Sequence, residues 1–191
     1  MLIFDHVSFS YGKKEILKDF SFTLQKGEIL AIMGASGLGK STVLNLAAGL
    51  RKPQSGLVEC HTDKISYAFQ EPRLFPWMNA LNNVNAVLSA KKETIPLAMQ
   101  ALEFVELADS AKLFPAELSG GMKSRVSLAR AIAYGGELYL FDEPFAALDK
   151  DLRERLSNKL RSFLKERGAS ALFVTHLQSD AEQFADRILE I

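Results

Sequence analysis

Short, continuously apolar runs alternate along the chain with longer segments whose apolar residues recur every three to four positions. That alternation is the pattern of an α/β fold. Eight runs read as strands: Leu2–Val7, Phe20–Leu24, Glu28–Met33, Leu57–Cys60, Ile65–Phe69, Leu138–Phe141, Ala171–Val174 and Arg187–Glu190. Ile29–Met33 and Leu138–Phe141 are apolar throughout, which fits central parallel strands covered on both faces. Turn-like stretches at Ser10–Lys14 and Gln25–Gly27 join the first three strands, which are expected to form an antiparallel sheet ahead of the parallel one.

From Pro72 to Pro115 the pattern becomes mostly helical. Leu97, Ala101, Leu102, Val105 and Ala108 fall close to one stripe. This predicts a small helical subdomain, approximately residues 72–133, inserted in the α/β core. A further helix is predicted over Asp149–Arg167. It starts at a capping-type aspartate, carries a stripe through Leu152, Leu156, Leu160, Phe163 and Leu164, and stops at Gly168.

Composition narrows the picture. The 191 residues are 48% hydrophobic and 24% charged, a balance that builds one globular domain and excludes disorder. The formal net charge is zero, so binding to nucleic acid by bulk electrostatics is not expected. Cys60 stands alone and cannot form an internal disulfide, which makes a reducing cytoplasm the simpler setting. Met1–His6 lacks the basic start and long apolar core of a signal peptide. No stretch approaches the roughly 20 apolar residues that span a bilayer, so any membrane role must come through a partner.

Chemistry enters at Gly34-Ala35-Ser36-Gly37-Leu38-Gly39-Lys40-Ser41-Thr42, which matches GxxxxGK[ST]. Glycines let the backbone turn tightly and aim successive N–H groups at phosphate oxygens. The helix that follows points its positive end at the same place. Lys40 supplies a point charge for the β- and γ-phosphates, and the Ser41 hydroxyl can ligate Mg²⁺. With a strand before it and a helix after it, this loop predicts a P-loop NTPase core that binds a nucleoside triphosphate, ATP being the expected one. The second apolar run ends in Asp142-Glu143-Pro144. Ligands of open parallel sheets sit at the carboxyl ends of strands. Asp142 there can hold Mg²⁺, and Glu143 can polarise the attacking water as a general base.

Leu118-Ser119-Gly120-Gly121-Met122, followed by a helix, resembles the signature motif of the ATP-binding-cassette (ABC) ATPases. Ser119 and two glycines opening a helix present N–H groups, a hydroxyl and a positive dipole end. In that family this surface faces the γ-phosphate held by another cassette, so the resemblance implies a homodimer or paired cassette with ATP between the chains. Other elements follow in the family's order. Tyr11 resembles the aromatic that stacks on adenine. Gln70 resembles the glutamine that senses Mg²⁺ and couples to a membrane subunit. Ala146-Ala147-Leu148-Asp149 resembles the loop that crosses the dimer interface, and His176 resembles the switch histidine that contacts the γ-phosphate. His6 and His61 read as structural.

The resemblance runs from Leu2 to about Arg187. It departs at Met122, where glutamine is commoner, at Ser124, where a glutamine is usual, and at Gly135-Gly136, where a proline is common. Family members often continue past the last predicted strand, which implies a minimal cassette with a weakened dimer. Glu71–Val84 resembles the segment after the glutamine in bacterial importer ATPases for nitrate, sulfonates and taurine. The resemblance therefore implies an importer ATPase working with a permease and a solute-binding protein at the inner face of the cell membrane. The alternative is a non-transport ABC ATPase of DNA repair or translation. Leu74, Phe75 and Trp77, between two prolines, read either as an apolar knob for a membrane subunit or as a local core under the helices.

Overall fold

The computed structural model describes residues 1–191. The first sheet is antiparallel with strand order β2-β1-β4, built from β1 (Leu2–Tyr11), β2 (Lys14–Leu24) and β4 (Ser55–Cys60). Its third member is therefore not the third strand of the chain, as the sequence pattern led us to expect. β3 (Ile29–Met33) is buried at all five positions, and only a sheet covered on both faces can use such a strand. β4, largely exposed, suits an edge.

β1 and β2 also run longer than their apolar alternation predicts. The cause is a pair of facing irregularities. In β1 the buried positions pass from Leu2 and Phe4 to Val7 and Phe9, with His6 in the left-handed region at φ 49°. In β2 Asp19 does the same at φ 51°. An extra residue in a strand inverts the inward parity, so a period-two reading stops there. His6 Nδ1 and Asp19 Oδ1 meet at 2.6 Å across the two irregularities.

The second sheet is parallel, with order β5-β6-β7-β3-β8, adding β5 (Ile65–Ala68), β6 (Leu138–Asp142), β7 (Ser170–Thr175) and β8 (Arg187–Glu190). Side chains alternate between two cores, as the pleat requires. Ile29, Ala31, Tyr139, Phe141, Ala171 and Phe173 enter one core, packed beneath the helices. Leu30, Ile32, Leu138, Leu140, Leu172 and Val174 enter the other, shared with the antiparallel sheet and α1 (Lys40–Ala47).

Between β5 and β6 lie α2 (Ala80–Asn85), α3 (Ile95–Phe104) and α4 (Gly120–Tyr134), joined by short 3₁₀ turns. Arg125 ties α4 to the end of α3 by donating to the carbonyls of Val105 and Glu106. α5 (Lys150–Glu166) and α6 (Gln178–Phe184) flank β7 in the chain.

Asp186 fastens the start of β8. Its carboxylate accepts from the Ile29 N–H at 2.8 Å, from Arg161 at 2.8 Å and from Lys165 at 2.5 Å. Burial opposes ionisation of this carboxyl, but the bonds from Lys165, Ile29 and Arg161 outweigh it and hold the group below the ordinary aspartate range. A depressed carboxyl pKa stabilises the fold above the unfolded value, and that stability is lost as pH falls through the folded value. Asp186→Asn should therefore cost about 1–2 kcal/mol at neutral pH and much less below about pH 3. Urea unfolding at the two pH values checks this; an equal cost at both would remove the carboxylate from the role.

Candidate nucleotide-binding site

The 34–42 loop leaves β3 and enters α1. Gly39 stands at the N-cap of α1 with φ 98°, and a Cβ there would lie 2.5 Å from Ile16 Cγ2, so only glycine fits. Lys40 is buried. Its ammonium donates to the carbonyls of Gly34 at 2.7 Å and Ala35 at 3.0 Å, which splints the loop from inside. Ser36, Gly37, Gly39, Lys40, Ser41 and Thr42 line a cleft of about 300 Å³, within the range of small-ligand sites.

The acidic strand end meets this loop. Ser41 Oγ donates to Asp142 Oδ1 at 3.1 Å, joining residues 101 positions apart. Asp142 is 5% exposed. Burial pushes its carboxyl up, the Ser41 hydrogen bond pulls it down, the Glu143 charge pushes it up, and the Lys40 charge pulls it down; the net direction is up. A cation beside this group would relieve the cost of its ionised form. Glu143 follows in the left-handed region at φ 48°, a costly conformation for a non-glycine residue. Its N–H donates to the Val174 carbonyl at 3.1 Å, which locks that turn to β7. The turn directs its carboxylate into the cleft, 3.1 Å from Nδ1 of His176 at the end of β7.

Gln70, just past β5, lines the same cleft. Tyr11, at the end of β1, forms its outer wall. The Tyr11 ring is set edge-on to Phe9 at 4.9 Å, with the Arg51 guanidinium 5.9 Å from its centroid.

Ser119–Gly121 does not line this cleft. Ser119 caps α4 by accepting from the Met122 N–H at 3.3 Å. A Cβ on Gly121 would sit 2.7 Å from the Ala147 carbonyl, so glycine lets α4 close on the 146–149 loop. Ser119, Gly121, Ala147 and Asp149 share a second cleft. Asp149 caps α5 by accepting from the Leu152 N–H at 3.0 Å. One chain thus carries the 34–42 loop and Glu143 in one cleft and an open helix N-terminus in another.

Sequence reasoning missed the residues that hold the segment after Gln70. Asn83, fully buried on α2, accepts from the Phe75 N–H and donates to the carbonyls of Phe75, Met78 and Asn79. Arg130 on α4 donates to the carbonyls of Pro72 and Arg73. Polar helix residues give no signal of this kind until tertiary structure sets them against a loop. The segment they hold projects Trp77, 70% exposed, beside Phe75, while Leu74 packs into the core. The local-core reading holds for Leu74 and fails for Trp77.

Residues 17–146 match the ABC transporter family. The chain belongs to that family. Its ABC relatives include the aliphatic sulfonates import ATP-binding protein SsuB of Corynebacterium glutamicum, 44% identical over 184 residues, spanning 94% of this chain and 75% of that protein. The Fe(3+) ions import ATP-binding protein FbpC of Haemophilus influenzae is 39% identical over 199 residues, spanning 93% of this chain but only 56% of that protein. The chain thus spans little more than half of the iron-import relative's length. A solved ABC cassette, MJ0796, in a dimeric post-hydrolysis state bound to ADP and Pi, superposes with a TM-score of 0.91 at 31% identity, covering 100% of this chain and 94% of that one.

Proposed function

We propose that the chain is the ATP-binding and ATP-hydrolysing subunit of an ABC importer. It would power solute movement through a separate membrane permease by ATP-driven closure of two cassettes. The observation that carries this reading is that Lys40, Ser41 and Glu143 line one cleft at the carboxyl ends of the parallel strands, with Asp142 bonded to Ser41 and His176 meeting Glu143. The import ATP-binding relatives support the importer assignment.

In this reading Tyr11 stacks on adenine. The N–H groups from Gly34 to Thr42, the α1 dipole and Lys40 hold the phosphates. Ser41, Gln70 and Asp142 offer hydroxyl, amide and carboxylate oxygens, hard donors that fit Mg²⁺. So small a protein donor set suits an ion that keeps phosphate and water ligands. Mg²⁺ bound with ATP supplies charge neutralisation on the phosphates. Glu143 accepts a proton from the attacking water, and His176 orients that carboxylate and faces the γ-phosphate. Ser119, Gly120 and Gly121 of a second cassette close over the γ-phosphate, with the Asp149 loop crossing between the chains. The dimer works under a permease and, through it, a solute-binding protein, on the cytoplasmic inner face of the membrane. No helix of the chain is long and apolar enough to cross a membrane.

Purified chain given Mg·ATP should release phosphate and lose that release on chelation of Mg²⁺. No release, alone or with the permease, would sink the ATPase reading. Trp77, standing out beside Phe75, is the anchor proposed for the permease. Trp77→Ala should weaken co-purification with the permease about tenfold while leaving ATP affinity within about twofold. Equal loss of both would return Trp77 to a folding role.

A further inference from the structure

Behind the cleft lies a charged pair that the proposed chemistry does not use. Asp180, in the first turn of α6, is 5% exposed. Its Oδ1 lies 3.7 Å from the guanidinium of Arg153 on α5. Arg153 also donates to the Leu148 carbonyl at 3.0 Å, the residue just before the α5 cap. One guanidinium therefore bridges the 146–149 loop and the segment that follows His176. Asp180 stands four residues past His176, in the first turn of the helix that the histidine leads into. Burial raises the Asp180 carboxyl, and the charge of Arg153 beside it opposes the rise. His176 in turn meets Glu143 at 3.1 Å.

These contacts run from the Leu148 carbonyl through Arg153 to Asp180, the backbone at the start of α6 carries the line back to His176, and His176 meets Glu143. Each link joins a different segment: the 146–149 loop with α5, α6, the end of β7 and the end of β6. A buried ion pair contributes little net stability, and its better-attested use is to fix one arrangement over others. Here the arrangement fixed is that of the 146–149 loop relative to the start of α6, the segment that follows His176.

We propose that Arg153 and Asp180 are positioning residues that tie the 146–149 loop to His176, so that a second cassette pressing on that loop sets the His176–Glu143 contact. This rests on the ATPase reading for its consequence in rate, but its geometry can be tested without turnover. A displaced imidazole should slow the chemical step and leave nucleotide affinity alone.

The test uses Arg153→Gln, which removes the guanidinium, Asp180→Asn, which is nearly isosteric, and their double variant. The chain has three histidines, so the imidazole nitrogens of His176 can be followed by ¹⁵N NMR beside those of His6 and His61. Each variant should shift the His176 signals and leave those of His6 and His61 in place. Each should lower kcat about tenfold with KM for ATP unchanged within about twofold. The double variant should lose no more than the worse single one, because both changes cut the same line. Asp180→Glu should recover part of the rate. Unmoved His176 signals would overturn the proposal whatever the ATPase result. So would multiplicative losses in the double variant, or a KM that rises as kcat falls. A wild-type chain without turnover, whose His176 signals still respond to both variants, would keep the tie and reject the ATPase reading.

Discussion

Glu143→Gln is expected to bind ATP as well as the unsubstituted chain and to hydrolyse it about a thousandfold more slowly. The glutamine amide is nearly isosteric and keeps the left-handed backbone turn, whose N–H is held by the Val174 carbonyl. The amide oxygen can still accept from His176 Nδ1, so the ring keeps its place. What disappears is the proton acceptor. The charge removed also stood against ionisation of Asp142, so the group proposed for Mg²⁺ ionises more readily in the variant. Binding should therefore not weaken. Single-turnover phosphate release together with equilibrium ATP binding separates the two effects. A variant that turns over at the normal rate would mean that Glu143 is not the base.

Lys40→Ala is expected to lower ATP affinity by more than a hundredfold, about 3 kcal/mol, the scale for truncating one partner of a buried charge pair. Two losses combine. The ammonium no longer meets the phosphates, and the carbonyls of Gly34 and Ala35 lose the donor that splints the loop. Fluorescent-nucleotide titration measures the first, and thermal unfolding without nucleotide measures the second. Unchanged affinity would remove the 34–42 loop as the phosphate site.

Most of the site was legible because its parts are short and local. The 34–42 loop needs fixed offsets along one stretch of chain, and Asp142-Glu143 needs only an apolar strand before it. The apolar strands of the parallel sheet were legible for the same reason. β1 and β2 were cut short because His6 and Asp19 invert the strand parity, and a period-two pattern cannot continue through an inserted residue. The membership of β4 in the first sheet depends on pairing with β1 across the intervening β2, β3 and α1, which local pattern does not carry. Asn83, Arg130, Arg153 and Asp180 were not read from the sequence as site residues. Each is a polar residue on a helix whose work is done on a segment from 4 to 58 positions away. The placement of Tyr11 beside Arg51 has the same origin, since the ring meets the guanidinium only after the antiparallel sheet folds onto the α1 end.

The central claim is that one chain holds half a site, with Ser119–Gly121 of a second chain completing it. It is tested most directly by the solution mass of Glu143→Gln with and without saturating Mg·ATP, compared with the same variant carrying Ser119→Asp. Aspartate keeps the α4 cap but sets a negative charge against the γ-phosphate. Light scattering should give Glu143→Gln the mass of two chains with ATP and of one chain without it. The doubly substituted protein should stay at one chain while still binding ATP. A Glu143→Gln chain that binds ATP yet remains single, or a dimer indifferent to Ser119→Asp, would contradict the account.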